Sequence, residues 1–190
     1  MADVKTEVEK LYVAYFSRPA DAGGLDYWTK ILQTDPSGYQ KISASFAASK
    51  EYHDTYAGMD NTAIVNAVYQ HLFNRPAEST GLNYWANLLN TKQITIDNVV
   101  TQVAAGAQGS DLFTYNAKVA VATAFTARMD TQAERDAYTT MAAAKIGIGY
   151  IETVKDLQTA AAGMDPGNID NAIAQIVGSH ATGFAVDHIV

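Results

Sequence analysis

Residues 11–32 read LYVAYFSRPADAGGLDYWTKIL, and residues 68–89 read VYQHLFNRPAESTGLNYWANLL. Subtracting 11 from 68 gives an offset of 57, and that offset pairs Tyr12 with Tyr69, Phe16 with Phe73, Arg18 with Arg75, Pro19 with Pro76, Gly24 with Gly81, Leu25 with Leu82, Tyr27 with Tyr84 and Trp28 with Trp85. The chain contains a duplicated unit, and both of its tryptophans belong to it. Self-similarity at this period marks a repeated supersecondary element, whose stacked copies bury one continuous core.

Within each copy the apolar spacing is helical. Val8, Leu11, Tyr12, Tyr15 and Phe16 follow the i, i+3, i+4, i+7, i+8 stripe, and Val65, Val68, Tyr69, Leu72 and Phe73 reproduce it. Arg-Pro ends this helix, because a proline ring disfavours helical geometry at the residue before it, so Arg18 and Arg75 are expected at a helix-to-loop corner. A second helix then starts, capped by Asp21 in copy one and by Ser79 or Glu78 in copy two. Its expected buried stripe is Leu25, Trp28, Ile31 and Leu32, matched by Leu82, Trp85, Leu88 and Leu89. Gly24 and Gly81 fall in its first turn, where a side chain would collide with the preceding helix. A turn at Asp35, Pro36, Ser37 and Gly38 precedes a third helix with Ile42 and Phe46 inward. In copy two, Thr95 is expected to cap a helix with Ile96, Val99, Val100 and Val103 inward. Past Tyr56 and Tyr115 the copies diverge, and the offset grows to 59 through about two extra residues near Gly106–Ser110.

From Leu112 the chain is alanine-rich, with Phe113, Ala117, Val121, Ala124 and Phe125 expected on one buried face. Thr131 and Glu134 form a capping box for a helix through Ala137, Tyr138 and Met141. Gly147 and Gly149 predict a break before a helix over about 150–162, which Gly163 would end in left-handed geometry. Asp165 and Pro166 read as N-cap and first residue of a last helix carrying Ile169, Ile173, Ile176 and Val177. No period-two alternation occurs. The expected fold is therefore all-α, a multi-helix orthogonal bundle. Its organisation is a duplicated region over 1–115, with units at about 5–57 and 62–115, and a helical remainder over 116–190 packed with it as one compact domain.

Bulk properties narrow the function classes. The 190 residues include 13 basic and 20 acidic side chains, a net charge of −7, and no cysteine. Phosphate tracking needs a basic stripe, so nucleic-acid binding is not expected. Lack of cysteine removes disulfides and thiolate sites and leaves the compartment open. The N-terminus lacks a signal-peptide pattern and no segment has the apolar length of a membrane span, so no direct membrane insertion is expected. Abundant Ala, Thr, Asp, Asn and Gly with sparse Lys is a composition common in exported bacterial surface proteins.

Helical geometry also singles out candidate site residues. Adjacent helical residues point about 100° apart, so Tyr27–Trp28 and Tyr84–Trp85 cannot both face inward. Tryptophan as core with tyrosine at the rim is the favoured arrangement, and an exposed ring stacking on a sugar is the functional alternative. Arg18 and Arg75 are expected to pin their loops through Asp21 and Glu78, with recognition of an acidic sugar or carboxylate as the alternative. His53, His71, His180 and His188 have no zinc spacing, and Asp165, Asn168 and Asp170 suit helix capping better than a calcium loop. No nucleophile elbow or phosphate-binding glycine motif is present, so no enzymatic activity is expected.

The element LYVAYFSRPADAGGLDYW resembles the repeat, long described as a domain of unknown function, of bacterial type I-secreted RTX and surface proteins. The matching positions are Leu11, Tyr12, Phe16, Arg18, Pro19, Ala20, Asp21, Gly24, Leu25, Tyr27 and Trp28; copy two departs at Glu78 and Asn83. The layout resembles the N-terminal anchoring domain of S-layer proteins exported by type I secretion. That resemblance implies a helical module at the cell surface that binds lipopolysaccharide O-polysaccharide and works beside other S-layer subunits. It implies no cofactor in this domain, with calcium held elsewhere in the parent protein. The expected glycan contacts are Arg18, Asp26, Tyr27, Arg75, Asn83 and Tyr84. The alternative is a protein-interaction or adhesin module of an RTX protein.

Overall fold

The structure is a computed structural model that describes residues 3–181. His188 lies outside the described residues. Among them the chain is all-α, with no strand: α1 (Val4–Phe16), α2 (Ala22–Thr34), α3 (Gly38–Ala47), α4 (Lys50–Tyr56), α5 (Asn61–Phe73), α6 (Ser79–Asn90), α7 (Val99–Ala105), α8 (Gly109–Arg128), α9 (Gln132–Ala137), α10 (Met141–Glu152), α11 (Leu157–Gly163) and α12 (Pro166–Ala181).

The repeat is visible in the backbone. Helices α1 and α5 are capped by Asp3 and Asp60, whose carboxylates accept from the amides of Lys5 and Ala63, and both stripes named above are buried. Each helix ends on a left-handed residue at φ 55°, Ser17 and Asn74. A side chain in this region costs on the order of 1 kcal/mol, and tertiary bonds hold both corners. Ser17 Oγ donates to His71 O (3.3 Å), and Asn74 Nδ2 donates to Glu152 O (2.9 Å) and Val154 O (2.7 Å). The corner of copy one thus rests on copy two, and that of copy two on the helices beyond.

Asp21 caps α2, accepting from Gly24 N at 2.7 Å. The expected collisions are present: a Cβ on Gly24 would lie 2.0 Å from Tyr12 Oη, and one on Gly81 2.6 Å from Tyr69 Oη. Trp28 and Trp85 are half-buried against the core. The two copies are stitched by tyrosine hydroxyls donating to backbone carbonyls, Tyr15 to Asp97 (2.9 Å), Tyr52 to Ile96 (2.5 Å) and Tyr115 to Lys10 (2.9 Å). A buried phenol needs such a partner, and a carbonyl on the other copy supplies it while locking the pair.

Several expectations are corrected. Thr95 does not cap the third helix of copy two: its amide donates to Asn98 Oδ1 (3.0 Å), and α7 begins one turn later at Val99. Helix α8 runs unbroken across residue 116; Val121 and Phe125 are buried and Ala117 and Ala124 pack against the core as expected, but the face differs at its start and takes in polar residues. Phe113 is 44 % exposed, whereas Thr114, Lys118 and Thr126 are buried. These polar groups are inside because carbonyls await them: Thr114 Oγ1 donates to Lys155 O (3.3 Å), Thr126 Oγ1 to Ala20 O (3.1 Å), and Lys118 Nζ to His71 O and Asn74 Oδ1. Helix α9 stops at Ala137 rather than running through Met141. Gly147 and Gly149 do not break the chain but lie within α10; a Cβ on Gly147 would sit 2.2 Å from Tyr138 Oη. The expected helix over 150–162 is instead the end of α10 and a separate α11 capped by Asp156. Gly163 is not left-handed; it is small because Val121 packs at 3.0 Å from where its Cβ would be.

The core forms two clusters. The larger joins α1–α8 with Ile151 and Val154, and the smaller joins Phe125, Met129, Tyr138, Ile169, Ile173 and Ile176. Tyr138 bridges them, donating to Pro19 O at 3.1 Å.

Candidate functional site

The Arg-Pro loops are built to one plan. Each guanidinium lies 5.2 Å from the repeat tyrosine ring, Arg18 over Tyr12 and Arg75 over Tyr69. Each donates to the carbonyl of the following proline, at 3.1 Å for Pro19 and 3.0 Å for Pro76. Each grips a carboxylate with two nitrogens: Arg18 takes Glu51 (2.8 and 3.0 Å), and Arg75 takes Asp111 (2.8 and 2.6 Å). Such forks are strong because two charge-assisted bonds share one rigid geometry. The carboxylates sit 33 and 36 residues after their arginines, so the second copy is three residues longer at this point, one more than the repeat offsets predict.

The expected Arg18–Asp21 bond is therefore replaced by Arg18–Glu51; Asp21 instead caps α2 and accepts from Tyr12 Oη (3.2 Å). The expected Arg75–Glu78 pair is present at 2.7 Å, beside the stronger fork to Asp111. Arg18 is fully buried, with Tyr138 as a lid at 6.0 Å, which corrects its assignment as a glycan contact: no atom of it reaches solvent. Arg75 keeps 38 % of its side chain exposed.

The tyrosine–tryptophan pairs divide as the helical geometry requires. Tyr27 and Tyr84 are 58 % and 57 % exposed, and each stands edge-on to its half-buried tryptophan at 4.7 and 4.9 Å between ring centroids. Asp26 and Asn83 beside them are exposed, and Asp26 meets Lys5 at 3.4 Å. Two equivalent aromatic platforms thus stand on α2 and α6.

The concave surface lies elsewhere. A depression of about 270 Å³ is lined by Glu7, Lys10, Leu112 and Asn116, and an adjoining one of about 330 Å³ by Gln40, Asp97, Asn98 and Gln102; Tyr39 and Thr101 line both. Together they form a groove where α3 of copy one faces α7 of copy two, over α1 and α8. Tyr39 is 43 % exposed, and the side-chain amides of Gln40, Gln102 and Asn116 make no hydrogen bond among the described residues. Burial of its inner part, with the charge of Glu7 adding to it, pushes the Tyr39 phenol pKa up, so it stays a neutral donor. A larger cavity of about 600 Å³ lies among α10, α11 and α12, lined by Ile146, Tyr150, Gly163 and Asn171. Neither Tyr27 nor Tyr84 lines any of these three.

Tyr39 escaped the sequence reading because it is not a repeat residue: the position 57 further on is Ile96. Its signal was that difference, a tyrosine at the edge of the Ile42 and Phe46 stripe where the other copy has isoleucine. Among the described residues no three His, Asp or Glu side chains converge as a metal site. Burial, with the charge of Lys118 adding to it, holds the His71 pKa down at about 4, so its ring is neutral against Tyr56.

Residues 43–111 match the family model described as "Domain of unknown function (DUF4214)", a span from within α3 to the start of α8 that contains all of α4, α5, α6 and α7. No curated protein and no solved structure matches the chain.

Proposed function

We propose that this chain is a non-enzymatic anchor of a secreted bacterial surface protein, holding an S-layer to the outer membrane by binding lipopolysaccharide O-polysaccharide. The observation that carries the reading is the inter-repeat groove. Its two adjoining depressions share Tyr39, a ring available for the apolar face of a pyranose, and unpaired amides together with Asp97 offer donors and acceptors to sugar hydroxyls. Beneath the groove Tyr115 ties α8 to α1, and Tyr15 ties α1 to the turn before α7, so little ordering of these elements accompanies binding. Tyr27 and Tyr84 are a second pair of stacking surfaces for a long polymer. Each contact is weak, and a lattice of many copies with other S-layer subunits multiplies it. Calcium belongs, on this reading, to the rest of the parent protein.

The test is binding of the purified chain to lipopolysaccharide with and without its O-chain. Binding to the O-chain form alone, made roughly tenfold weaker by Tyr39→Ala through loss of about 1.4 kcal/mol, supports the reading; equal binding to both forms, or to neither, overturns it. Release of reducing ends from the polysaccharide would overturn the non-enzymatic assignment.

A protein-interaction module is the second reading. Leu157 and Met164, at 73 % and 45 % exposure on and just after α11, favour it. Concentration-dependent assembly without glycan would select it.

A further inference from the structure

We propose that Glu9 is a proton-operated latch on the seam between the first repeat and the alanine-rich helices, closed while its carboxyl is neutral and loosened when it ionises. The inference does not depend on what the groove binds.

Glu9 lies on α1 with none of its surface exposed. Its Oε2 accepts from Ala20 N at 3.1 Å, while its Oε1 is buried without a hydrogen-bond partner. The repeat supplies an internal comparison. Position 66, 57 residues on, is Asn66, whose Oδ1 accepts from Ala77 N at the same 3.1 Å. The loop therefore needs one acceptor at this place, and a neutral amide meets the need in copy two. Copy one uses an ionisable group for the same bond.

The surroundings favour the neutral acid. A buried carboxylate with an unsatisfied oxygen carries an uncompensated desolvation cost. Among the described residues Arg18 is the one cation facing Glu9, and its charge is already taken by Glu51 in the fork. Asp21 adds a second negative charge, and the phenols of Tyr12 and Tyr138 face the same space; burial pushes both of their pKa values far up, so they remain neutral. Thr126 of α8 stands beside Glu9 and donates to Ala20 O at 3.1 Å; its hydroxyl and the Ala20 amide favour the ionised acid, and burial outweighs them both. An ionised Glu9 would keep the Ala20 N–H but leave a charged Oε1 buried with no partner. Burial accordingly pushes the carboxyl up to about 7, against an ordinary 4.5.

Such a shift makes the seam weaker as pH rises. Below pH 4.5 the acid is neutral whether the seam is closed or open, and the seal is at full strength. As pH rises through 4.5 toward 7 the open form loses its proton first, so opening becomes easier, and the effect levels off above 7. If opening exposes Glu9 fully, raising pH from 5 to 8 increases the opening equilibrium by up to about 70-fold.

Two measurements on the whole chain test the latch. A carbon-13 titration of the Glu9 carboxyl in the wild-type protein is expected to show a midpoint near 7; a midpoint near 4.5 overturns the latch. Hydrogen exchange across residues 126–138, corrected for the intrinsic pH dependence of amide exchange, is expected to show a large rise in opening between pH 5 and 8 that Glu9→Gln abolishes. An equal rise in wild type and Glu9→Gln overturns it. If Glu9→Gln fails to fold, the wild-type titration alone separates a latch from an ordinary carboxylate.

Discussion

Replacing Arg18 and Arg75 by leucine, one at a time, sets identical chemistry in two different solvents. In Arg18→Leu the guanidinium disappears from a site with no exposure, leaving Glu51, whose side chain is 8 % exposed, with a charge that nothing nearby compensates. The ring contacts to Tyr12 and Phe16, both at 5.2 Å, are lost as well. Breaking a buried pair from one side costs about 3–5 kcal/mol, because the remaining charge stays desolvated. In Arg75→Leu the same fork is lost, but Asp111 and Glu78 are 17 % and 55 % exposed and recover water, so about 1 kcal/mol is expected. Urea unfolding at pH 7 should therefore separate the variants by roughly 2–4 kcal/mol. In thermal unfolding Arg18→Leu should lose roughly 6–20 °C at 2–4 °C per kcal/mol for a chain of this size. The double variant Arg18→Leu/Glu51→Leu removes both charges and should regain much of the loss. Equal costs at the two arginines, or a double variant no more stable than Arg18→Leu, would refute the argument that burial, and not the fork itself, sets the energy.

The glycines give paired tests by thermal unfolding. Gly24→Ala drives a Cβ to 2.0 Å from Tyr12 Oη and should destabilise by about 1–3 kcal/mol, whereas Gly23→Ala meets nothing closer than 3.7 Å and should gain about 0.5 kcal/mol. Likewise Gly147→Ala strikes Tyr138 and should destabilise, while Gly149→Ala, with open space around it, should stabilise by about 0.5–1 kcal/mol. Thr131→Ala removes one half of the capping box on α9 and should cost about 1 kcal/mol. Burial holds Lys118 down at about 8, so the unfolded chain, with an ordinary lysine near 10.5, binds the extra proton between these values and stability should rise with pH from 8 to about 9.5. Lys118→Met should flatten that rise, as read from urea midpoints across this range.

The duplicated element, its opening helices α1 and α5, the Arg-Pro corners, the Asp21 cap, the Thr131–Glu134 box and the Asp165–Pro166 start of α12 were all legible in the amino-acid order. Each rests on interactions within one or two helical turns, where backbone geometry leaves few alternatives. The collisions at Gly24 and Gly81 were legible for a related reason: the helix they face is only a short loop away. Tertiary structure alone decided that Glu51, 33 residues on, and not Asp21, neutralises Arg18. It left Phe113 outside and brought Lys118 and Thr126 inward beside the expected Val121 and Phe125, since the carbonyls of His71 and Ala20 at the repeat corners accept their protons and a sequence does not reveal where those carbonyls lie. It also placed the groove at Tyr39 instead of beside Tyr27 and Tyr84. A helix announces its apolar face through its own period, but a concavity is the space between helices, and its position depends on how separate elements meet.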